Sequence, residues 1–91
     1  MFIVVSYDIS DDRRRRRIFK LMESFGTRVQ YSVFECNLTA PQLKELCGRL
    51  KKLMSPRDDS VRFYSLCTDD VKRVLCLGGR PLTREALLYL H

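Results

Sequence analysis

The sequence predicts a small α+β domain in which helices pack against an antiparallel β-sheet. Apolar residues have strand-like spacing at 1–7, helical spacing at Ile18, Met22 and Phe25, and a long strand signal at 27–38. A second helical stripe and a further strand follow. With 91 residues, the chain is long enough for one such domain and not for two.

Polar residues separate the first predicted strand from the first predicted helix. Residues 1–7 include an apolar run on both faces, as expected for a central strand that is covered on both sides. Gly26 is expected to end the helix as the residue after its C-cap. The N-cap candidates are Ser10, Asp11 and Asp12.

The strand signal at 27–38 precedes a second helix that has its own start signal. Thr39 or Ala40 is the expected N-cap, with Pro41 near the first helical position. The apolar stripe of this helix comprises Leu43, Leu46, Cys47, Leu50 and Leu53. If 27–38 bends into two strands, the element order becomes the ferredoxin-like βαββαβ plan.

The C-terminal third is predicted to add two strands and a tail. Residues 61–67 and 73–77 are strand-like, with a turn at 69–70 between them. We expect residues 1–78 to form the domain. Residues 79–91 form a tail that packs on its own chain or on a partner, because it contains too many leucines to remain in water.

Positive charge is clustered along the chain, which has a formal net charge of +6. Residues 13–20 hold six basic side chains and no acid, and residues 49–57 hold four more and no acid. This clustering favours an anionic polymer as partner, and a solvated basic face is the alternative. The expected nucleic-acid contacts are Arg13, Arg14, Arg16, Lys51 and Lys52.

Several function classes are disfavoured by composition. No apolar run approaches the ~20 residues of a membrane span, and no signal-peptide pattern is present, so we expect a cytoplasmic protein without a membrane partner. The only histidine is His91, and no two cysteines have zinc-knuckle or redox spacing. We therefore expect buried, reduced thiols, and catalysis that depends on carboxylates, a metal, hydroxyls or arginine.

Asp8, at the end of the first predicted strand, is the candidate metal ligand. The functional interpretation is binding of Mg²⁺ or Mn²⁺, and the alternative is a turn or cap residue for the following helix. A single aspartate provides few ligands for such an ion. In a dimer, the two copies of Asp8 across the symmetry axis would supply a pair of carboxylates. The arginines at 13–17 point all round the helix, so only some of them can face one ligand.

A second candidate row lies in the long strand signal. Arg28, Gln30, Ser32 and Phe34 share strand parity and are therefore expected on one face. Such a row could contact nucleic acid or form an interface between subunits, and parity does not separate the two.

Two blocks of the sequence resemble the CRISPR-associated protein 2 family. The first is Tyr-Asp-Ile-Ser-Asp at 7–11, with arginines in the helix after it. The second, more specific block is Gly-Thr-Arg-Val-Gln-Tyr-Ser-Val-Phe-Glu at 26–35. Asp59, followed by Val-Arg-Phe-Tyr at 61–64, also fits the pattern. The resemblance covers residues 1–67 well and the tail only loosely.

The resemblance implies a ferredoxin-like homodimer whose extra C-terminal strand pairs with the partner subunit. It implies a metal-dependent endonuclease of single-stranded RNA or double-stranded DNA, acting in CRISPR spacer acquisition. Asp8 of both chains would bind one divalent metal, Mg²⁺ or Mn²⁺. The other activity-linked positions that it implies are Tyr7, Arg15, Arg17, Arg28 and Phe34.

Two rival functions remain open from the sequence. The first is a non-catalytic dimeric adaptor that bridges dimers of the integrase CRISPR-associated protein 1 and binds prespacer DNA through its backbone. It needs the basic patches and the tail but not Asp8. The second is a toxin-like ribonuclease of similar fold, of the virulence-associated protein D type.

Overall fold

Four strands and four helices make up the described chain, which comprises residues 1–79 and 82–91 of a computed structural model. The strands are β1 (Phe2–Asp8), β2 (Gly26–Gln30), β3 (Val33–Asn37) and β4 (Ser60–Leu66). The helices are α1 (Asp12–Glu23), α2 (Ala40–Leu53), α3 (Thr68–Lys72) and α4 (Arg84–Leu90). None of these helices combines the length and the hydropathy that crossing a bilayer requires.

The strands form one antiparallel sheet in the order β2-β3-β1-β4. Val5 of the central strand β1 lies opposite Phe34 of β3 and Phe63 of β4. The signal at 27–38 forms two strands, so the chain follows βαββαβ up to β4. The predicted α+β, ferredoxin-like fold with an antiparallel sheet is therefore confirmed.

Helices α1 and α2 cover one face of the sheet. Side chains alternate along β1, so Ile3, Val5 and Tyr7 point to this face, and all three are buried. The buried side chains that the two helices contribute are Ile18, Leu21, Met22, Leu46 and Leu50. The periodic positions predicted from the sequence thus form the main core, with α1 packed beside α2.

The opposite face is covered only in part, by α3 and α4. Phe2 of β1 packs with Val71 of α3 and Ala86 of α4. Thr83 caps α4, since its hydroxyl accepts a hydrogen bond from the Ala86 amide at 3.2 Å and donates one to the Glu35 carboxylate on β3. The described part of the tail therefore packs on its own sheet. Arg80 and Pro81 lie outside the described residues.

The prediction of a strand at 73–77 is wrong, because this segment forms no strand within the described chain. Asp69 and Asp70 lie in α3 rather than in a turn, since the Asp70 carboxylate accepts the Cys67 amide at the start of that helix. Leu75 and Leu77 are 81% and 89% exposed, with no strand of the described sheet beside them to form a ladder. Pairing of this segment with a second subunit stays a prediction.

The four cysteines are free thiols, as predicted, but they are not all buried. Cys36 lies in the main core, and its burial raises the pKa of the thiol to about 12. Cys47 is half-buried on α2. Cys67 and Cys76 are exposed because they lie after β4 and in the unpaired segment, where the sequence analysis had expected continued strand.

Gly26 begins β2 and does not end α1, which corrects the predicted helix terminus. The last helical residue is Glu23, with Ser24 as C-cap. A Cβ at position 26 would overlap the carbonyl oxygen of Glu35 and lie 2.6 Å from the Cys36 sulfur. Glycine is therefore required by the close approach of β2 to β3.

Gly26→Ala is expected to destabilise the protein, whereas Gly48→Ala is expected to stabilise it. The first change overpacks a strand contact and should cost about 1–3 kcal/mol. Gly48 lies exposed in α2 with nothing within 4 Å of its added Cβ, so alanine should contribute up to ~1 kcal/mol. In thermal unfolding, the melting temperature of Gly26→Ala should lie several degrees below that of wild type, and that of Gly48→Ala several degrees above it. A Gly26→Ala protein that melts at the wild-type temperature would contradict this packing.

Candidate functional site

Asp8 is the last residue of β1, at the end of the sheet where the loops begin. It lies opposite Ser60 of β4, and alternation puts it on the face of Val4 and Ser6, away from α1 and α2. The residue is exposed, and no ion pair of the described chain uses it. Its carboxylate is therefore free to bind a cation.

The other two carboxylates of this segment serve α1. Asp11 is the N-cap, and its carboxylate accepts the Arg14 amide at 2.9 Å. This hydrogen bond is the main reason that the pKa of Asp11 is lowered. Asp12 accepts hydrogen bonds from both terminal nitrogens of Arg15, at 2.8 and 2.6 Å. Asp8 thus remains the candidate ligand among the three.

A buried carboxylate, Asp59, holds the loop that follows Asp8. Its side chain is 0% exposed and accepts the backbone amides of Ser10 at 3.0 Å and Ser55 at 2.8 Å. It also accepts Arg14 Nε at 2.8 Å, and this contact is the first cause that holds the pKa of Asp59 well below its usual range. These contacts join the β1–α1 loop to the α2–β4 loop.

Sequence analysis placed Asp59 in the family pattern but missed this role. The sequence around Asp59 does not indicate burial, because that burial depends on residues 45 and 49 positions away. The Arg14 guanidinium is bound to Asp59, so we leave Arg14 out of the nucleic-acid contacts proposed below. A lone Asp before a strand gives no local signal of such a contact.

Tyr7, Phe34 and Arg28 lie on the other face of the sheet from Asp8. The rings of Tyr7 and Phe34 are buried and stacked, with centroids 6.3 Å apart. Arg28 lies opposite Phe34 in register, and its guanidinium carbon is 5.1 Å from the ring centroid of Phe19 on α1. Burial raises the pKa of Tyr7, and the charge of Arg28 opposes this shift.

The prediction that residues 28, 30, 32 and 34 form a row along one strand is also wrong. Strand β2 ends at Gln30, residues 31–32 form a turn, and β3 begins at Val33. The chain reverses there, so Arg28 on β2 lies opposite Phe34 on the adjacent strand β3. Arg28 is exposed while Phe34 is buried, because β2 is an edge strand and β3 lies inside the sheet.

The five arginines of α1 have different environments. Arg14 binds Asp59 and Arg15 binds Asp12, while Arg13, Arg16 and Arg17 are exposed. Lys51 and Lys52 are exposed in the last turn of α2. The contacts of Asp59 bring this end of α2 to the start of α1. Both basic segments therefore lie at the same end of the domain as Asp8.

Arg62 of β4 is a candidate that the sequence analysis did not assign. It is exposed and lies opposite Ser6, one position along the Asp8 face from the Asp8–Ser60 pair. Its terminal nitrogen donates a long, 3.5 Å hydrogen bond to the Tyr64 hydroxyl. The alternation of 61–67 was visible in the sequence, but only the pairing register brings Arg62 near Asp8.

Comparison with known proteins agrees with this fold. The sequence profile described as CRISPR associated protein Cas2 matches residues 1–74 of the chain. The chain belongs to the Cas2 family. A Synechocystis sp. relative named CRISPR-associated endoribonuclease Cas2 3 is 47% identical to it over 85 residues, which cover 92% of each protein.

Solved Cas2 structures resemble the chain along most of its length. Streptococcus pyogenes Cas2 at pH 6.5 is similar with a TM-score of 0.76 and 36% identity, covering 86% of this chain and 100% of that one. A chain of a partial Cas6-RT-Cas1–Cas2 complex has a TM-score of 0.73 and 28% identity, covering 89% of this chain and 88% of that one.

A single subunit offers one exposed carboxylate, that of Asp8, at the end of β1. No group of three or more His, Cys, Asp or Glu side chains in residues 1–79 and 82–91 could hold a metal. Magnesium typically takes one or two carboxylates and keeps several waters. An exposed oxygen donor outside any ion pair fits such an ion if a second copy of Asp8 completes the site.

Proposed function

We propose that this Cas2 family member is a dimeric, Mg²⁺-dependent endonuclease that acts in CRISPR spacer acquisition. The observation that carries the proposal is the exposed Asp8 carboxylate at the basic end of the domain. The name of the Synechocystis relative supports endoribonuclease activity, and double-stranded DNA is the second substrate to test. Bound Mg²⁺ or Mn²⁺ supplies Lewis-acid chemistry at the phosphodiester.

The basic residues are proposed to bind and orient the substrate backbone. Arg13, Arg16 and Arg17 on α1, with Lys51 and Lys52 on α2, are exposed at the end of the domain that carries Asp8. Arg62 shares the face of Asp8 and is suited to offset charge on the phosphate that reacts. These contacts fix the substrate without reading its sequence.

A homodimer is proposed because one subunit is an incomplete metal site. The face that carries Asp8 is covered only towards Phe2, where α3 and α4 pack. On the same face, Tyr64 is 47% exposed opposite Val4. Association through this face would bring two Asp8 carboxylates together and would bury part of this surface.

The second candidate function is the adaptor that bridges integrase dimers. The similarity to a chain of a Cas1–Cas2-containing complex favours it, as do the exposed leucines of the C-terminal region. Leu87 and Leu88 of α4 are 46% and 56% exposed on a helix that is otherwise packed on the sheet. Such side chains suit a protein partner, namely the integrase CRISPR-associated protein 1.

A cleavage assay with a metal series tests the nuclease proposal. We expect purified protein to cut single-stranded RNA or double-stranded DNA in Mg²⁺ or Mn²⁺ and to stop when the ion is chelated with EDTA. Equal cleavage with and without the ion would contradict metal dependence. Failure to cut any substrate in any metal would reject the nuclease and leave the adaptor, which prespacer integration with the integrase would then measure.

A further inference from the structure

A cavity of about 470 Å³ lies beside α1, on the opposite face of the sheet from Asp8. Its aromatic lining comes from Tyr7 of β1, Phe19 of α1 and Tyr31 of the β2–β3 turn. Its lining also includes the cationic side chains of Arg15, Arg16 and Arg28. This cavity is separate from the proposed metal site, since the sheet lies between them.

The aromatic walls of the cavity differ in how firmly they are held. Phe19 is half-buried, and its ring packs edge-on against Phe34 with centroids 5.7 Å apart. Tyr7 is buried, stacked on Phe34. Tyr31 is 77% exposed, so its ring is not needed by the core of this chain. A large aromatic side chain in a turn beside a preformed aromatic wall is suited to stack on a planar ligand.

The charge around the cavity favours an anionic ligand. Four lining residues are basic and two are acidic, and one of the acids, Asp12, is already paired with Arg15. Arg28 lies over the Phe19 ring, with its guanidinium carbon 5.1 Å from the centroid. Arg16 is exposed at the rim. The aromatic rings and the arginines of this lining match the two halves of a nucleotide, its base and its phosphate.

We propose that this cavity binds one unpaired nucleotide of a single-stranded nucleic acid, with the base against Tyr31 and Phe19 and the phosphate on Arg16. The volume is within the ~300–1,000 Å³ typical of small-ligand sites. A base inside a duplex is stacked on its neighbours and cannot enter, whereas an unpaired base can stack on protein rings. The inference rests on the proposed nuclease function and assigns the residues that would hold an unpaired base of its substrate.

Fluorescence anisotropy in EDTA tests binding without cleavage, using labelled ten-nucleotide single-stranded RNA, the same DNA strand, and a DNA duplex. Tyr31→Ala should weaken single-strand binding by roughly 10-fold, the scale of losing one base stack, and leave duplex binding unchanged. Tyr31→Phe keeps the ring and should bind as wild type does. Arg13→Ala lies outside the cavity lining and should weaken both kinds of binding alike.

The outcomes distinguish this site from the nuclease proposal. Unchanged single-strand affinity in Tyr31→Ala, or an equal loss for single strand and duplex, would overturn the nucleotide site even if cleavage persists. Selective loss of single-strand binding in a protein that cuts nothing would support the site and reject the nuclease. The RNA and DNA arms then show which sugar the site accepts.

Discussion

Asp8→Asn is expected to abolish metal-dependent cleavage and to leave the fold intact. Asparagine has nearly the same shape but no charge, and in a dimer both carboxylates of the site are lost together. Loss of a single charged contact to a transition state lowers rates by roughly 10²–10³-fold, and we expect at least this loss. Initial rates across a Mg²⁺ series, from zero to saturation, measure it.

Asp69→Asn is the matched control for this change. Asp69 is exposed in the first turn of α3, and its replacement removes the same charge near the start of β1, at the opposite end of that strand from Asp8. The control should cut at the wild-type rate, and both variants should keep the wild-type elution volume and melting temperature. An Asp8→Asn protein that cuts as fast as the control would reject Asp8 as metal ligand. One that still supports prespacer integration without cutting would favour the adaptor.

Asp59→Ala is expected to lower the free energy of unfolding by a large fraction of its total. The change leaves the amides of Ser10 and Ser55 without their acceptor and Arg14 without its counter-charge. Each buried polar group that is left without its hydrogen-bond partner typically costs about 1–3 kcal/mol, against a total stability of roughly 5–15 kcal/mol for a domain. Urea unfolding at pH 7 measures this loss.

Asp58→Ala is the control for Asp59, because the neighbouring residue is exposed and its carboxylate, within the described chain, accepts a hydrogen bond from the Ser55 hydroxyl alone, at 3.3 Å. It should unfold close to wild type. Cleavage by Asp59→Ala should also fall at temperatures where the variant is still folded, since the loop after Asp8 is no longer held. A wild-type urea midpoint for Asp59→Ala would contradict the structural role assigned to this carboxylate.

The contribution of Asp59 to folding stability is expected to decrease as the pH is lowered. Its pKa is lowered in the folded protein, first by the hydrogen bond from Arg14, so the folded state binds its proton less readily than the unfolded chain. The stabilisation is therefore complete above the unfolded pKa of about 3.9 and decreases as pH falls towards the lower folded pKa. The stability difference between wild type and Asp59→Asn should stay constant from pH 7 to about 5 and shrink at pH 3.

Local signals in the sequence predicted the helices and their starts well. Asp11 was among the expected N-caps of α1, and Thr39 begins α2 with a capping box to Gln42. Leu46 and Leu50 were expected on the core face of α2 and are buried there. These features depend on residues within one or two turns of each other, so the sequence contains them directly.

Errors occurred where distant contacts decide the structure. Gly26 matched a helix terminus locally, but the approach of β3 makes it a strand residue. Residues 73–77 have strand composition, yet no strand of the described sheet lies beside them. Residues 28–34 were expected to follow one strand, but the turn at 31–32 makes a hairpin that places Arg28 opposite Phe34 on the neighbouring strand. Strand propensity specifies neither a partner nor a register.

The sequence by itself determined the α+β fold, the family, and the chemical groups available at the site: Asp8 after a strand and basic residues in two clusters. Residue type and short-range spacing are enough for these conclusions. Only the tertiary structure decided which groups lie together. Strand pairing placed Asp8 with Arg62 on one face and Tyr7 with Arg28 on the other, and contact between two loops buried Asp59. Those contacts join residues that are far apart in the chain, so no local pattern contains them.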